Sequence, residues 1–332
     1  MGKKDISEKR LEKFNDVFAD IYNNLVFHGK QLLNSEDLTD LPTESFSRRN
    51  DGSIRQGNRD ICKADSQSQR YRLILGLENQ EQCDRTMPVR TMGYDYASYE
   101  EQIKQLQNDN QVNKSPAYAR GIHDNQQLTP VLTTVLFFGK HWNGPKSLHE
   151  LLYFPTEQRE LFQQLVPDYR FQLICVRELP RTVIDRLTSD FRLIAEFLAS
   201  AENPVMRKRL RYNTSHMIQH PEEFIDLLNA ITKDSRYLTI KEQITTQRKD
   251  ITMCAILDEW ENYGRKRGIA QGRRQGRRQG KKQGRKIGEQ HMLERASRMV
   301  QGGDSDLIPK LRQDPALLQE MYRKYSLEYT KV

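Results

Sequence analysis

The sequence predicts an α/β fold: a mixed central sheet flanked by helices, followed by a helical region and a basic, glycine-rich tail. Three observations carry this. Strand-like apolar runs lie at 59–65, 71–80, 130–138 and 169–176, with helical periodicity before, between and after them. From about residue 201 the pattern is helical alone. Glycine then recurs every four residues from Gly264 to Gly288, with Arg, Lys and Gln dominating between. These changes divide the chain into an α/β domain (1–200), a helical extension (201–263), a basic repeat linker (264–288) and a short helical C-terminal segment (289–332).

Each element has its own pattern. Leu11, Phe14, Phe18, Ile21 and Leu25 recur at three- and four-residue steps and predict one amphipathic first helix. The segment from Asn34 to Arg59 is polar and rich in turn formers, with room for one short strand. The runs Arg59–Asp65 and Tyr71–Gln80 flank the polar loop Ser66–Arg70, a spacing that suits an antiparallel pair. In the second run Leu73, Leu75 and Leu77 share one face, and Ile74, Gly76, Glu78 and Gln80 the other. Pro88 fits the first turn of a helix that buries Met92, Tyr99, Ile103 and Leu106. Strands at 130–138 and 169–176 follow, then a helix over Ser189–Ser200 packing Phe191, Ile194, Ala195 and Leu198. Pro221 opens another helix, with Phe224, Leu227, Leu228 and Ile231 on one side, and 251–263 makes the next. Short helical patterns return at 292–300 and 317–322.

The glycine repeat reads differently. A four-residue step advances about 40° beyond a full helical turn, so the glycines would spiral instead of lining a face. Each interior glycine costs roughly 1 kcal/mol relative to alanine. An isolated helix is therefore not expected over 264–288, although contact with a partner could induce one.

The formal charge of +8 belongs to this tail: residues 264–288 hold 11 Lys or Arg and no acid, and without them the chain carries −3. Such a tract binds polyanions whatever its origin, even as a low-complexity expansion. Arg273, Arg274, Arg277, Arg278, Lys281 and Lys282 are its candidate nucleic-acid contacts. No apolar stretch reaches the length of a membrane-spanning helix, and the N-terminus lacks a secretory pattern. Cys62, Cys83, Cys175 and Cys254 lack C-x-x-C spacing, which argues against a zinc site or disulfide framework and makes the cytoplasm the expected location.

The candidate site is a pair of carboxylates. Asp60 lies 18 residues before Glu78, and Glu78-Asn79-Gln80 ends the second strand-like run. An apolar strand that finishes in a carboxylate and an amide two residues apart aims both at one point. The antiparallel partner could bring Asp60 beside them. Converging carboxylates with a third polar group suit Mg²⁺, which takes a few oxygen ligands and retains several waters. The bland alternative is a polar cap on an ordinary strand pair.

At these residues the chain resembles the PD-(D/E)XK nuclease superfamily, and within it the recombination-promoting nuclease / putative transposase group. The resemblance covers roughly residues 5–200, including Met87-Pro88-Val89-Arg90 after the motif. It implies a restriction-endonuclease-like fold and a metal-dependent DNA endonuclease. Asp60 and Glu78 would be the metal-binding acids, with the Asn79 carbonyl as a further ligand and Mn²⁺ as a substitute for Mg²⁺. Gln80 falls where the family usually has lysine, and an amide brings no charge and shuttles no proton. The family's first-helix acid maps onto Asp16 or Asp20, Asp16 being favoured, although both fall opposite the apolar stripe, where solvated acids belong. DNA is the expected partner and no membrane is; oligomeric state is left open. Lys63 reads as a solvated strand lysine or as a phosphate contact. His123, His141 and His149 read as structural or exposed, and Trp142 as a loop anchor.

Overall fold

The computed structural model describes residues 3–48, 54–67, 70–112, 122–200, 216–234, 236–239, 241 and 251–325. The chain forms two compact units, Met1–Trp260 and Glu261–Val332.

The predicted first helix is broken. Helix α1 spans Lys3–Glu12, a turn follows at Lys13–Phe14, and α2 runs Asn15–Ile21 before widening into a π-helical turn at Tyr22–Val26. The left-handed residues His28 (φ 57°) and Gly29 (φ 93°) end this stretch. The polar segment after it holds three short strands where one was expected: β1 (Leu38–Asp40), β2 (Glu44–Arg48) and β3 (Ile54–Asn58). Alternation was too short there to separate strand from loop.

The remaining strands fall where the apolar runs predict them. They are β4 (Ile61–Gln67), β5 (Arg70–Gln80), β6 (Val131–Phe137) and β7 (Gln172–Cys175). They form a five-stranded mixed sheet in the order β1-β4-β5-β6-β7, while β2 and β3 pair as a separate hairpin. The β1–β4 and β4–β5 pairs are antiparallel, whereas β5–β6 and β6–β7 are parallel. Parallel neighbours need a crossover, and helix α3 (Met87–Val112) supplies it between β5 and β6. Asp84 caps its start, accepting from the Thr86 backbone N–H at 2.8 Å and the Thr86 hydroxyl at 2.7 Å. The helix buries Met87, Thr91, Tyr94 and Asp95, while Met92 is exposed and Tyr99, Ile103 and Leu106 are only half-buried. The buried face is rotated from the predicted one because it includes polar Thr91 and Asp95. Asp95 accepts from Thr133 Oγ1 at 2.6 Å and Tyr169 OH at 2.6 Å.

Gly76 marks the closest packing on that face. A β-carbon there would lie 2.8 Å from Thr133 Oγ1 and 3.0 Å from Arg59 Cδ. Arg59 uses the space to donate to the Tyr94 carbonyl and to Ser98 Oγ.

Short helices α4 (Arg159–Leu165) and α5 (Arg181–Ile184) precede α6 (Phe191–Ser200), which buries Phe191, Ile194, Ala195 and Leu198 as predicted. Helix α7 (Pro221–Thr232) buries Phe224, Ile225, Leu227 and Leu228. It packs on α1, where Arg10 reaches Asp226 at 3.1 Å and Glu223 at 3.2 Å.

Helix α8 runs without interruption from Met253 to Gln301, through the whole glycine repeat. This corrects the expectation of a non-helical linker. The residues between the glycines are mostly Arg, Lys and Gln, all strong helix formers. The glycines fill no packing need, since a β-carbon at Gly268, Gly272, Gly276, Gly280, Gly284 or Gly288 would meet nothing within 4 Å. Helix α9 (Pro315–Lys324) is capped by Asp314, which accepts from Ala316 and Leu317 N–H. Among the described residues, no helix is long and apolar enough to cross a membrane, and no disulfide joins the four cysteines.

Candidate active site

The site sits at the C-terminal end of β5. Ile61 pairs with Leu77, so Asp60, one residue earlier, comes level with Glu78 on the same face of the sheet. Asp60 lies just outside β4, and its Oδ2 accepts the Asn79 backbone N–H at 2.7 Å. The expected pairing of Asp60 with Glu78-Asn79-Gln80 is therefore present.

Glu78 is buried, with 2 % of its surface exposed. Its Oε1 accepts from Arg90 and from Gln80 Nε2, the latter at 3.2 Å. Its Oε2 is buried without a hydrogen-bond partner. Burial, reinforced by the Asp60 charge, pushes the Glu78 carboxyl up to about 8, against the opposing pull of Arg90 and Lys9. Arg90 also donates to Asp84 Oδ2 at 2.7 Å and Tyr94 OH at 3.0 Å. It thus locks the start of α3 to the end of β5.

Asn79 points to the opposite face and donates Nδ2 to Glu12 Oε2 at the end of α1. Glu12 is fully buried, and its Oε1 and the Asn79 Oδ1 have no hydrogen-bond partner. Burial, with the charge of Glu8 one turn away, holds the Glu12 carboxyl well above the usual carboxylate range. Lys9 also comes from α1 and lies 2.6 Å from Asp60 Oδ1.

Asp16 does not join this group: its carboxylate meets His220 Nε2 at 3.0 Å, and that ring stacks on Phe14. Asp20 is buried as a cap, accepting from the Thr188 and Ser189 N–H groups at 3.0 and 2.9 Å. The α1 acid that reaches the end of β5 is Glu12, on the Asn79 face. In one continuous helix Glu12 and Asp16 would share a face; the turn at Lys13–Phe14 separates them. No proline or glycine signals that turn. The buried step Glu8–Glu12 beside Leu11 was the one available cue.

Lys63 is neither solvated nor near the cluster. It is 1 % exposed, donates to Asn15 Oδ1 at 2.7 Å and pairs with Asp40. His141 pairs with Glu178 at 2.8 Å, and His149 bonds the Val166 carbonyl at 2.7 Å. Trp142 anchors its loop by donating to the Gly144 carbonyl at 2.9 Å and packing edge-on against Phe137. In the tail, Arg273, Arg274, Arg277, Arg278, Lys281 and Lys282 are all exposed on α8.

The donor set is entirely oxygen, which suits a hard divalent cation. No group of three or more His, Cys, Asp or Glu among the described residues is already arranged to hold a metal ion. Comparison with protein-family models, curated proteins and solved structures finds no match for this chain.

Proposed function

We propose that this protein is a metal-dependent DNA endonuclease of the PD-(D/E)XK type, similar to the recombination-promoting nucleases and acting in the cytoplasm. One observation carries the reading. Asp60 and Glu78 come level on one face at a strand end, and Glu78 Oε2 is buried there without a hydrogen-bond partner, where ordinary packing leaves few such atoms unsatisfied. The mixed sheet, with its motif on adjoining antiparallel strands and a helical crossover into the next, supports a restriction-endonuclease-like domain.

The orphaned Glu78 oxygen and the all-oxygen donor set fit Mg²⁺, or Mn²⁺ in its place, and Asp60 and Glu78, with the Asn79 backbone carbonyl, would hold it. Bound there, such an ion supplies charge for the scissile phosphate and acidifies water. Arg90 and Gln80 hold Glu78 through Oε1, which leaves Oε2 as its oxygen without a hydrogen-bond partner. Gln80 holds Glu78 through its Nε2, which leaves its carbonyl oxygen to orient a water. The exposed cations of α8 contribute sequence-independent affinity through phosphate contacts.

A second reading has its own observation: Lys9 already pairs with Asp60 and Arg90 with Glu78. A cluster so neutralised can stand as structure, leaving a weakened nuclease fold that binds DNA. Incubation with supercoiled plasmid and Mg²⁺ or Mn²⁺ separates the two. Nicking that disappears in Asp60→Ala supports the enzyme. Plasmid retention without nicking supports the binding module.

A further inference from the structure

We propose that Lys9 is the resident counter-ion of the acidic cluster, and that a divalent cation enters only by displacing it from Asp60. This rests on the reading of Asp60 and Glu78 as a cation site. Lys9 Nζ is 2.6 Å from Asp60 Oδ1, and the two side chains are 15 % and 10 % exposed. The other oxygen of Asp60 is engaged by the Asn79 N–H. A new cation must therefore take the oxygen that Lys9 holds or share it. Sharing is disfavoured, because like charges at contact distance inside a half-dry site repel strongly.

The geometry makes the exchange feasible. Lys9 belongs to α1 and not to the sheet, so its four-carbon stem can swing out while the carboxylates stay fixed by strand register and the Asn79 bonds. Glu78, level with Asp60 on the same face, keeps a buried oxygen without a hydrogen-bond partner. Position 80 is glutamine and brings no charge, Lys9 pairs with Asp60, and Arg90 is committed to Glu78, Asp84 and Tyr94. Lys9 therefore sets the divalent concentration at which the site fills.

The test is calorimetric titration of Mn²⁺ into the full-length protein without DNA, for wild type, Lys9→Gln, Lys9→Arg and Asp60→Asn. Lys9→Gln should bind Mn²⁺ at least about tenfold more tightly than wild type, because a competing charge is gone. Lys9→Arg should stay near wild type, and Asp60→Asn should bind more weakly. Thermal melts of each variant in chelator confirm that it folds. The melting temperature of Lys9→Gln should fall without metal and recover with Mn²⁺. Equal or weaker binding by Lys9→Gln, with Asp60→Asn impaired, overturns the counter-ion proposal and leaves the cation site standing. Absence of binding in every folded variant overturns both.

Discussion

Arg90 donates to Glu78 Oε1 from one guanidinium nitrogen and to Asp84 Oδ2 from another, so a single side chain spans the end of β5 and the cap of α3. Arg90→Ala strands a buried carboxylate and loosens the helix cap. Charged hydrogen bonds contribute about 1.5–3 kcal/mol each, and the partial exposure of Arg90 places the expected loss at about 1–3 kcal/mol by urea denaturation. Arg90→Lys keeps the charge but cannot reach both acids, and should fall between. A variant as stable as wild type would show that the bridge is idle.

Glu12 and Asp16 give opposite expectations although four residues apart. Glu12→Gln should weaken divalent-dependent plasmid nicking without abolishing it, since Glu12 braces Asn79, whose backbone N–H holds Asp60. Asp16→Ala breaks only a half-exposed pair with His220. It should keep nicking and lose about 0–1 kcal/mol of stability. The reverse pattern in parallel plasmid assays would return the first-helix acid to Asp16.

Stability of the chelated protein should fall as pH rises. The folded-state values of Glu78, about 8 against an ordinary 4.5, and of Glu12, also raised, mean that the native state keeps protons the unfolded chain releases. The contribution is fully present below about pH 4.5 and is lost as pH climbs through about 8, with a slope of up to about 1.4 kcal/mol per pH unit per group. Denaturation across that window checks it, and Glu78→Gln should flatten the slope. Stability that instead rises from acid to alkaline pH contradicts the buried, protonated pair.

Alanine at Gly272, Gly276 and Gly280 should make α8 more helical. The added methyls meet nothing within 4 Å, so only the backbone preference changes, by about 1 kcal/mol per site. Far-UV circular dichroism through a thermal melt should show a later loss of helix. An unaltered melt would mean the repeat is already held by something other than propensity.

Deleting residues 264–288 should weaken DNA binding on all sequences alike. The log–log salt slope should drop by about 0.9 for each duplex phosphate that the repeat no longer neutralises. Fluorescence anisotropy at several salt concentrations measures this, and an unchanged slope would exclude the repeat from the phosphate backbone.

The sheet was legible because β5, β6 and β7 have apolar centres and β4 lies one short polar loop before β5, and the site follows from the register: once Ile61 faces Leu77, Asp60 must meet Glu78. The site's other half was not legible. Glu12, Lys9 and Arg90 reach the cluster from helices, and nothing local in the sequence says where a helix will dock. Lys63 misled for the same reason, since Asp40 and Asn15, its buried partners, lie on segments of weak pattern. The repeat misled because glycine count was weighed over the helix-forming residues between.

The docking of α1 on α7 has a consequence in time. Arg10 and Asp226 are separated by 216 residues, and the α1 that carries Lys9 and Glu12 is clamped only once α7 exists. During synthesis at about 5–20 residues per second, the sheet strands with Asp60 and Glu78 leave the ribosome on the order of ten seconds or more before that clamp. A nascent chain therefore displays two of its acids without the third, and any chemistry that needs all of them waits until nearly the whole first unit has been made.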